Sequence, residues 1–91
     1  MLTKHKDICA VFDSGPDSGI DHYTIVLIWT ERPGHRTMIA LGDDVTSPLG
    51  FSQFCEGVYS PRGGNQHLGK RIGWNRLPEG HKRHVIARLS N

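Results

Sequence analysis

The second half of the chain is basic and contains side chains suited to binding an acidic molecule. Residues 46–91 include seven lysines and arginines against two acidic residues, whereas residues 1–45 include four against seven. Basic side chains attract phosphates and carboxylates, and exposed aromatic and arginine side chains supply most of the energy of protein interfaces. The sequence therefore predicts a binding surface formed by Tyr59, Arg62, Lys70, Arg71 and Arg76.

Other spacings that could support chemistry are incomplete. Gly64–Lys70 matches the first seven positions of a phosphate-binding P-loop, but Arg71 stands where a Ser or Thr must hold magnesium. Gly50–Phe54 lacks the second glycine of a nucleophile elbow. The cysteines form no Cys-x-x-Cys pair, and the histidines are scattered rather than spaced as zinc ligands. We therefore expect no enzyme, no metal site and no cofactor.

Length and composition predict a single domain spanning residues 1–91. An apolar content of 36% indicates a globular protein with a thin core. The longest apolar run, Ile25–Trp29, is far shorter than a membrane span, and Met1–Asp7 has no apolar region of a signal peptide. Two cysteines without a secretory signal indicate reduced thiols. We therefore expect a cytoplasmic protein that does not enter a membrane.

Three runs of residues predict the strands that would position these side chains. Asp7–Asp13 alternates in hydropathy, and His22–Thr30 is β-branched, aromatic and apolar on both faces. Arg36–Leu41 returns after a turn at Arg32–His35, where Pro33 and Gly34 suit a type II turn. In the first run, alternation predicts that one face of the strand carries Ile8, Ala10 and Phe12.

Residues 43–69 break this regular pattern. They contain two prolines and five glycines with no sustained period, which indicates either a binding loop or a loop interrupted by a short element around Phe51–Tyr59. Lys70–Trp74 then predicts a short strand, and Pro78–Leu89 a helix. Its apolar stripe consists of Leu77, His81, Val85 and Leu89. The fold class is therefore α+β: an antiparallel sheet of three to four strands, a long irregular loop before the last strand, and one C-terminal helix on one face.

Three segments resemble a group of short proteins encoded by phages and prophages. The segments are Pro48–Gln53, His67–Ile72 and Leu77–Glu79, which match Pro-x-Gly-Phe-Ser-Gln, Leu-Gly-Lys-Arg-Ile and Leu-Pro-Glu patterns of that group. The resemblance covers about residues 22–90 and brings no catalytic residue with it. It implies a small accessory protein that binds a host protein, in the size class of inhibitors of host defence such as anti-CRISPR proteins.

Three functions remain as alternatives. The first is a non-enzymatic protein that binds and inhibits a host protein complex, such as a CRISPR effector. The second is a small nucleic-acid-binding accessory protein that uses the basic half of the chain. The third is a homodimeric structural module whose copies pair through an open sheet edge at Asp7–Asp13 or Thr37–Leu41.

Overall fold

Five antiparallel strands and one helix form the protein. The structure is a computed structural model that describes residues 3–15, 22–30, 32–42 and 53–90. The sheet has the strand order β4-β3-β2-β1-β5, and all of its neighbours pair antiparallel. The elements are β1 (Ile8–Asp13), β2 (Tyr23–Leu27), β3 (His35–Leu41), β4 (Gln53–Val58), β5 (Lys70–Ile72) and α1 (Glu79–Leu89). The predicted α+β class and C-terminal helix are confirmed, with five strands instead of three to four.

The additional strand is β4, which lies in the segment of irregular composition. The structure thus confirms the alternative of a short element around Phe51–Tyr59. Glu56 and Gly57 have low strand propensity, so the sequence alone signals this strand weakly. Pairing with β3 stabilises it along its whole length, from Gln53 opposite Ala40 to Val58 opposite His35.

One face of the sheet packs against α1 and is termed the helix face. Because side chains alternate along each strand, every second residue points to this face and joins a buried cluster. Val85 of α1 completes that cluster. The predicted stripe of α1 is confirmed, because Leu77, His81 and Val85 are buried and Leu89 packs against the cluster. Lys82 lies outside this stripe and is also buried, with Nζ 3.5 Å from the carboxylate of Glu79.

The opposite face, termed the loop face, is covered by residues 59–69. This crossing segment connects β4 at one edge of the sheet with β5 at the other. It therefore spans four strand spacings, a distance of about 19 Å. Tyr59 and Leu68 from the segment pack on a second cluster that consists of Ala10, Phe12, Val26 and Met38.

A bulge in β1 changes which side chains share a face. Ile8 pairs with Leu27, but Ala10 pairs with Val26, so one extra residue of β1 is accommodated between the two pairs. As a result Ile8 lies in the helix-face cluster, whereas Ala10 and Phe12 lie in the loop-face cluster. The prediction that all three share one face is wrong, because simple alternation assumes an uninterrupted strand.

The edges of the sheet differ from those predicted for a homodimer. β1 lies between β2 and β5, and β3 lies between β2 and β4. β5 pairs with Val11–Asp13 of β1, and β4 pairs with Thr37–Ala40 of β3, so both strands lie inside the sheet and the prediction that either is its outer edge is wrong. The outer strands are β4 and β5.

Candidate binding surface

Tyr59 is the central residue of the loop face and is buried. It is 4% exposed, and its ring meets that of Phe12 edge-on with 6.3 Å between centroids. Its backbone N–H donates to the carbonyl of Gly34 at 3.1 Å, and its hydroxyl accepts a hydrogen bond from the thiol of Cys9 at 3.6 Å. The prediction of Tyr59 as an exposed anchor is therefore wrong. Instead, Tyr59 pins the crossing segment to the sheet.

Two guanidinium groups act on Tyr59. The Cζ atom of Arg36 in β3 lies 5.7 Å from the ring centroid, and its Nη1 donates to the carbonyl of Ile28 at 3.3 Å. Arg71 in β5 pairs opposite Phe12 and so projects from the same face. Burial raises the pKa of Tyr59, and the charges of Arg71 and Arg36 offset part of that rise. The hydroxyl is therefore protonated at neutral pH.

Two clefts flank Pro61 in the crossing segment. One has a volume of about 240 Å³ and is lined by Arg71 and Phe12 among others. The other, of about 490 Å³, is lined by Arg36 and Tyr59 among others. Pro61 lines both clefts, and no described residue with a carboxylate lines either of them. Positive charge is thus concentrated on this part of the loop face.

The predicted binding residues divide between different parts of the molecule. Arg36 and Arg71 each line a cleft beside Pro61, and Arg62 follows Pro61 in the chain and is exposed; we term these three residues the arginine surface. Lys70 is adjacent to Arg71 in β5 and therefore projects from the other face, opposite Asp13. Arg76 is exposed at the end of the turn Trp74–Arg76, beside the helix-face core.

Arg36 is the residue of this surface that sequence reasoning missed. It lies in the acidic half of the chain, so a count of charges by halves does not select it. Its position two residues before Met38 in a predicted strand was the available signal, because residues two apart in a strand share a face. That signal could not show that Met38 and Arg36 lie on the face that the basic crossing segment covers.

Two of the described histidines lie against backbone carbonyls in different parts of the molecule. Nε2 of His67 lies 2.8 Å from the carbonyl oxygen of Val58, and Nε2 of His81 lies 2.8 Å from that of Gly42. Within residues 3–15, 22–30, 32–42 and 53–90, no group of three or more His, Cys, Asp or Glu residues is placed to hold a metal ion. In the same part of the chain, no helix is long and apolar enough to cross a membrane.

Comparisons with known proteins add no relative to this picture. No family model matches the chain, and neither a curated protein nor a solved structure does. Function is therefore inferred from the residues and their geometry.

Proposed function

We propose that the protein is a non-enzymatic binding protein that attaches to an acidic surface of a larger host protein complex and inhibits it. The observation that carries the proposal is the arginine surface, where Arg36 and Arg71 line the clefts beside Pro61 and the exposed Arg62 follows Pro61 in the chain. Guanidinium groups bind carboxylates through paired hydrogen bonds, which gives both affinity and orientation. The resemblance to phage proteins supplies the setting, in which a defence system such as a CRISPR effector is the inhibited complex.

The scaffold favours binding because it holds two of the three arginines in place. Arg36 and Arg71 belong to paired strands, and the guanidinium of Arg36 is held by its contacts with the Tyr59 ring and the Ile28 carbonyl. Ordering a side chain before binding lowers the entropy lost in the complex. A molecule of 33 × 29 × 22 Å presents a face large enough for a standard interface, which takes about 800 Å² from each partner.

The test compares two charge-matched double variants. The partner is first isolated by capture with tagged protein from nuclease-treated bacterial lysate and identified. Its dissociation constant and the inhibition of its activity are then measured with Arg62→Ala/Arg71→Glu and with Lys70→Glu/Arg76→Ala. Each pair of substitutions removes the same total positive charge, but only the first alters the arginine surface.

We expect Arg62→Ala/Arg71→Glu to weaken binding at least tenfold, since each lost charged hydrogen bond costs about 1.5–3 kcal/mol. Inhibition should weaken in parallel. The control variant should bind within about threefold of the native chain, because exposed charges outside the contact contribute little. Equal losses in both variants would show that only net charge matters, and an unchanged affinity in the first would exclude this surface.

Nucleic acid is the second candidate ligand, since arginines also bind phosphates. The aromatic residues that flank the basic side chains in sequence do not support base stacking, because Tyr59 is 4% and Trp74 8% exposed. Binding would then depend on the phosphate backbone alone, and its affinity would fall steeply with salt, by about −0.9 in log–log slope per phosphate. A nuclease-sensitive complex with such a slope, made shallower by Arg62→Ala/Arg71→Glu, would favour this candidate.

A further inference from the structure

The outer edge of β4 carries backbone groups that face away from the sheet. Tyr59 N–H bonds to Gly34 on the β3 side, and hydrogen-bonded positions of an antiparallel pair recur every second residue. Gly57 and Cys55 therefore bond to β3, whereas Phe54, Glu56 and Val58 direct their N–H and C=O groups outward. The outward carbonyl oxygen of Val58 lies 2.8 Å from Nε2 of His67.

Phe54 and Glu56 are thus the residues of β4 whose outward backbone groups no described residue binds. Their four groups, two N–H and two C=O, match what one antiparallel neighbour would need. Edge strands that offer such groups are templates for pairing with another strand.

Two of the three side chains that β4 directs to the helix face, those of Phe54 and Val58, are apolar and exposed. Phe54 is 40% and Val58 55% exposed, and the ring of Phe54 stacks on Trp29, itself 41% exposed, with 6.2 Å between centroids. The guanidinium of Arg88 lies 4.8 Å from the centroid of Phe54. Two aromatic residues and an arginine in contact form the kind of cluster that dominates interface energies.

We propose that this edge binds a second copy of the chain, with the two β4 strands antiparallel about a two-fold axis at Cys55. The axis places Phe54 of each copy opposite Glu56 of the partner subunit, so the four outward groups of each strand are all bonded. The two five-stranded sheets become one continuous sheet. This proposal is independent of the proposed function, which uses the loop face.

Charges and rings are complementary in this register. Arg88, held over Phe54, comes beside Glu56 of the partner subunit, and each Glu56 keeps its own Arg32 at 2.8 Å. The two Phe54 rings become diagonal neighbours at about 7–8 Å, within reach of aromatic side chains, so the stacked Trp29–Phe54 pairs of both copies meet. An axis at Glu56 instead would set two carboxylates directly opposite and would require the Val58 carbonyl that His67 contacts.

The register has a chemical signature at Cys55. This residue carries an exposed thiol outside any disulfide. At the two-fold axis it would face its own copy in a non-hydrogen-bonded pair, with about 4.5 Å between Cα atoms, inside the range of about 4.4–6.8 Å that a disulfide allows. Diamide should therefore join the two subunits, accepting the two electrons and two protons that the pair of thiols loses as the S–S bond forms.

The experiment measures dimerisation and cross-linking in Cys9→Ser protein, whose remaining thiol is Cys55. Sedimentation should show a dimer that dissociates on dilution, and diamide should give a covalent dimer on a non-reducing gel. Glu56→Pro removes an outward N–H without removing a bond to β3, so we expect a folded monomer that does not cross-link. Glu56→Ala, the matched control, keeps that N–H and should weaken dimerisation by less than about fivefold.

A second variant keeps the test decisive if Glu56→Pro does not fold. Arg88→Glu reverses the charge beside Glu56 of the partner subunit and should weaken dimerisation at least about tenfold. The proposal is overturned by a protein that stays monomeric at all concentrations, or by a dimer that neither cross-links at Cys55 nor responds to these variants. Arg62→Ala/Arg71→Glu should leave the dimer intact, which separates this proposal from the binding of a host partner.

Discussion

Tyr59 joins three parts of the loop face through one side chain. It contacts Phe12 and Cys9 of β1, supports Arg36 of β3, and anchors the crossing segment. Its prediction as an exposed contact residue rests on the general role of aromatic side chains as interface anchors. The sequence alone cannot distinguish a buried from an exposed tyrosine here. Tyr59 is buried because the segment that carries it crosses the sheet to reach β5, and that path depends on the pairing of β5 with β1.

The raised pKa of Tyr59 predicts a loss of stability in alkali. In the unfolded chain the phenol titrates near its ordinary value of about 10, whereas in the folded chain it stays protonated to higher pH. Above that value the unfolded state binds fewer protons, so the free energy of unfolding falls as pH rises, by at most about 1.4 kcal/mol per pH unit. Stability contributed by Tyr59 is complete below about pH 10.

Tyr59→Phe tests this prediction because it removes the titrating group and keeps the ring. Urea unfolding at neutral and at alkaline pH should show a smaller alkaline loss for the variant than for the native chain. Near neutrality the variant should lose less than about 1 kcal/mol, since the contact with the Cys9 thiol is a weak hydrogen bond. Equal alkaline losses in the two proteins would contradict the role assigned to the buried phenol.

At the scale of elements, the parts that the sequence predicted well are those with a local signal. Helix α1 was predicted at Pro78–Leu89 and occupies Glu79–Leu89, because its periodicity and its proline and glutamate start lie within the segment itself. β4 was only one of two alternatives, because its pairing partner β3 lies elsewhere in the chain. Two of the three residues of the arginine surface are predicted, because Arg62 and Arg71 lie in the basic half of the sequence, whereas Arg36 joins them only through strand pairing.

The crossing segment depends on a glycine at its final position. Gly69 has φ +99° and ψ −155°, a conformation almost restricted to glycine, and an added Cβ would lie 2.4 Å from the carbonyl oxygen of Asp13. Gly64 also has positive φ, but no atom lies within 4 Å of its added Cβ. A side chain at either position would strain the backbone, but only at Gly69 would it also collide with other atoms.

We expect Gly69→Ala to destabilise the protein by more than about 3 kcal/mol and Gly64→Ala by about 1 kcal/mol. Both free energies come from urea unfolding followed by circular dichroism. Similar values for the two variants would mean that the close approach of the crossing segment to β1 does not limit position 69.

The whole molecule has two hydrophobic layers separated by one sheet. The helix face includes Trp74 and Val85, and the loop face includes Tyr59 with Cys9 at its margin. Side chains of both layers alternate along the same strands, so neither layer can lose its packing while the other keeps the strands in place. Strands β1 to β3, from the acidic half of the sequence, lie in the centre of the sheet, and β4 and β5, from the basic half, flank them.

This arrangement predicts one cooperative unfolding transition. In a Trp29→Phe variant, Trp74 is the remaining tryptophan, and its fluorescence reports unfolding of the helix face. In a Cys55→Ser variant, Cys9 is the remaining thiol, and its reactivity reports unfolding of the loop face. With both substitutions in one chain, the two probes should give the same urea midpoint. Separate midpoints would indicate that one layer melts before the other.

The position of β5 at the far edge of the sheet also governs the order in which the chain can fold. β1, β2 and β3 each pair with the next strand along the chain, whereas β5 pairs with β1, so that Val11 lies opposite Ile72. Contacts between distant residues form late, because closing a long loop costs entropy before any pairing rewards it. On a ribosome, where the N-terminal strands emerge first, the loop face of β1 stays uncovered until the crossing segment and β5 have been synthesised.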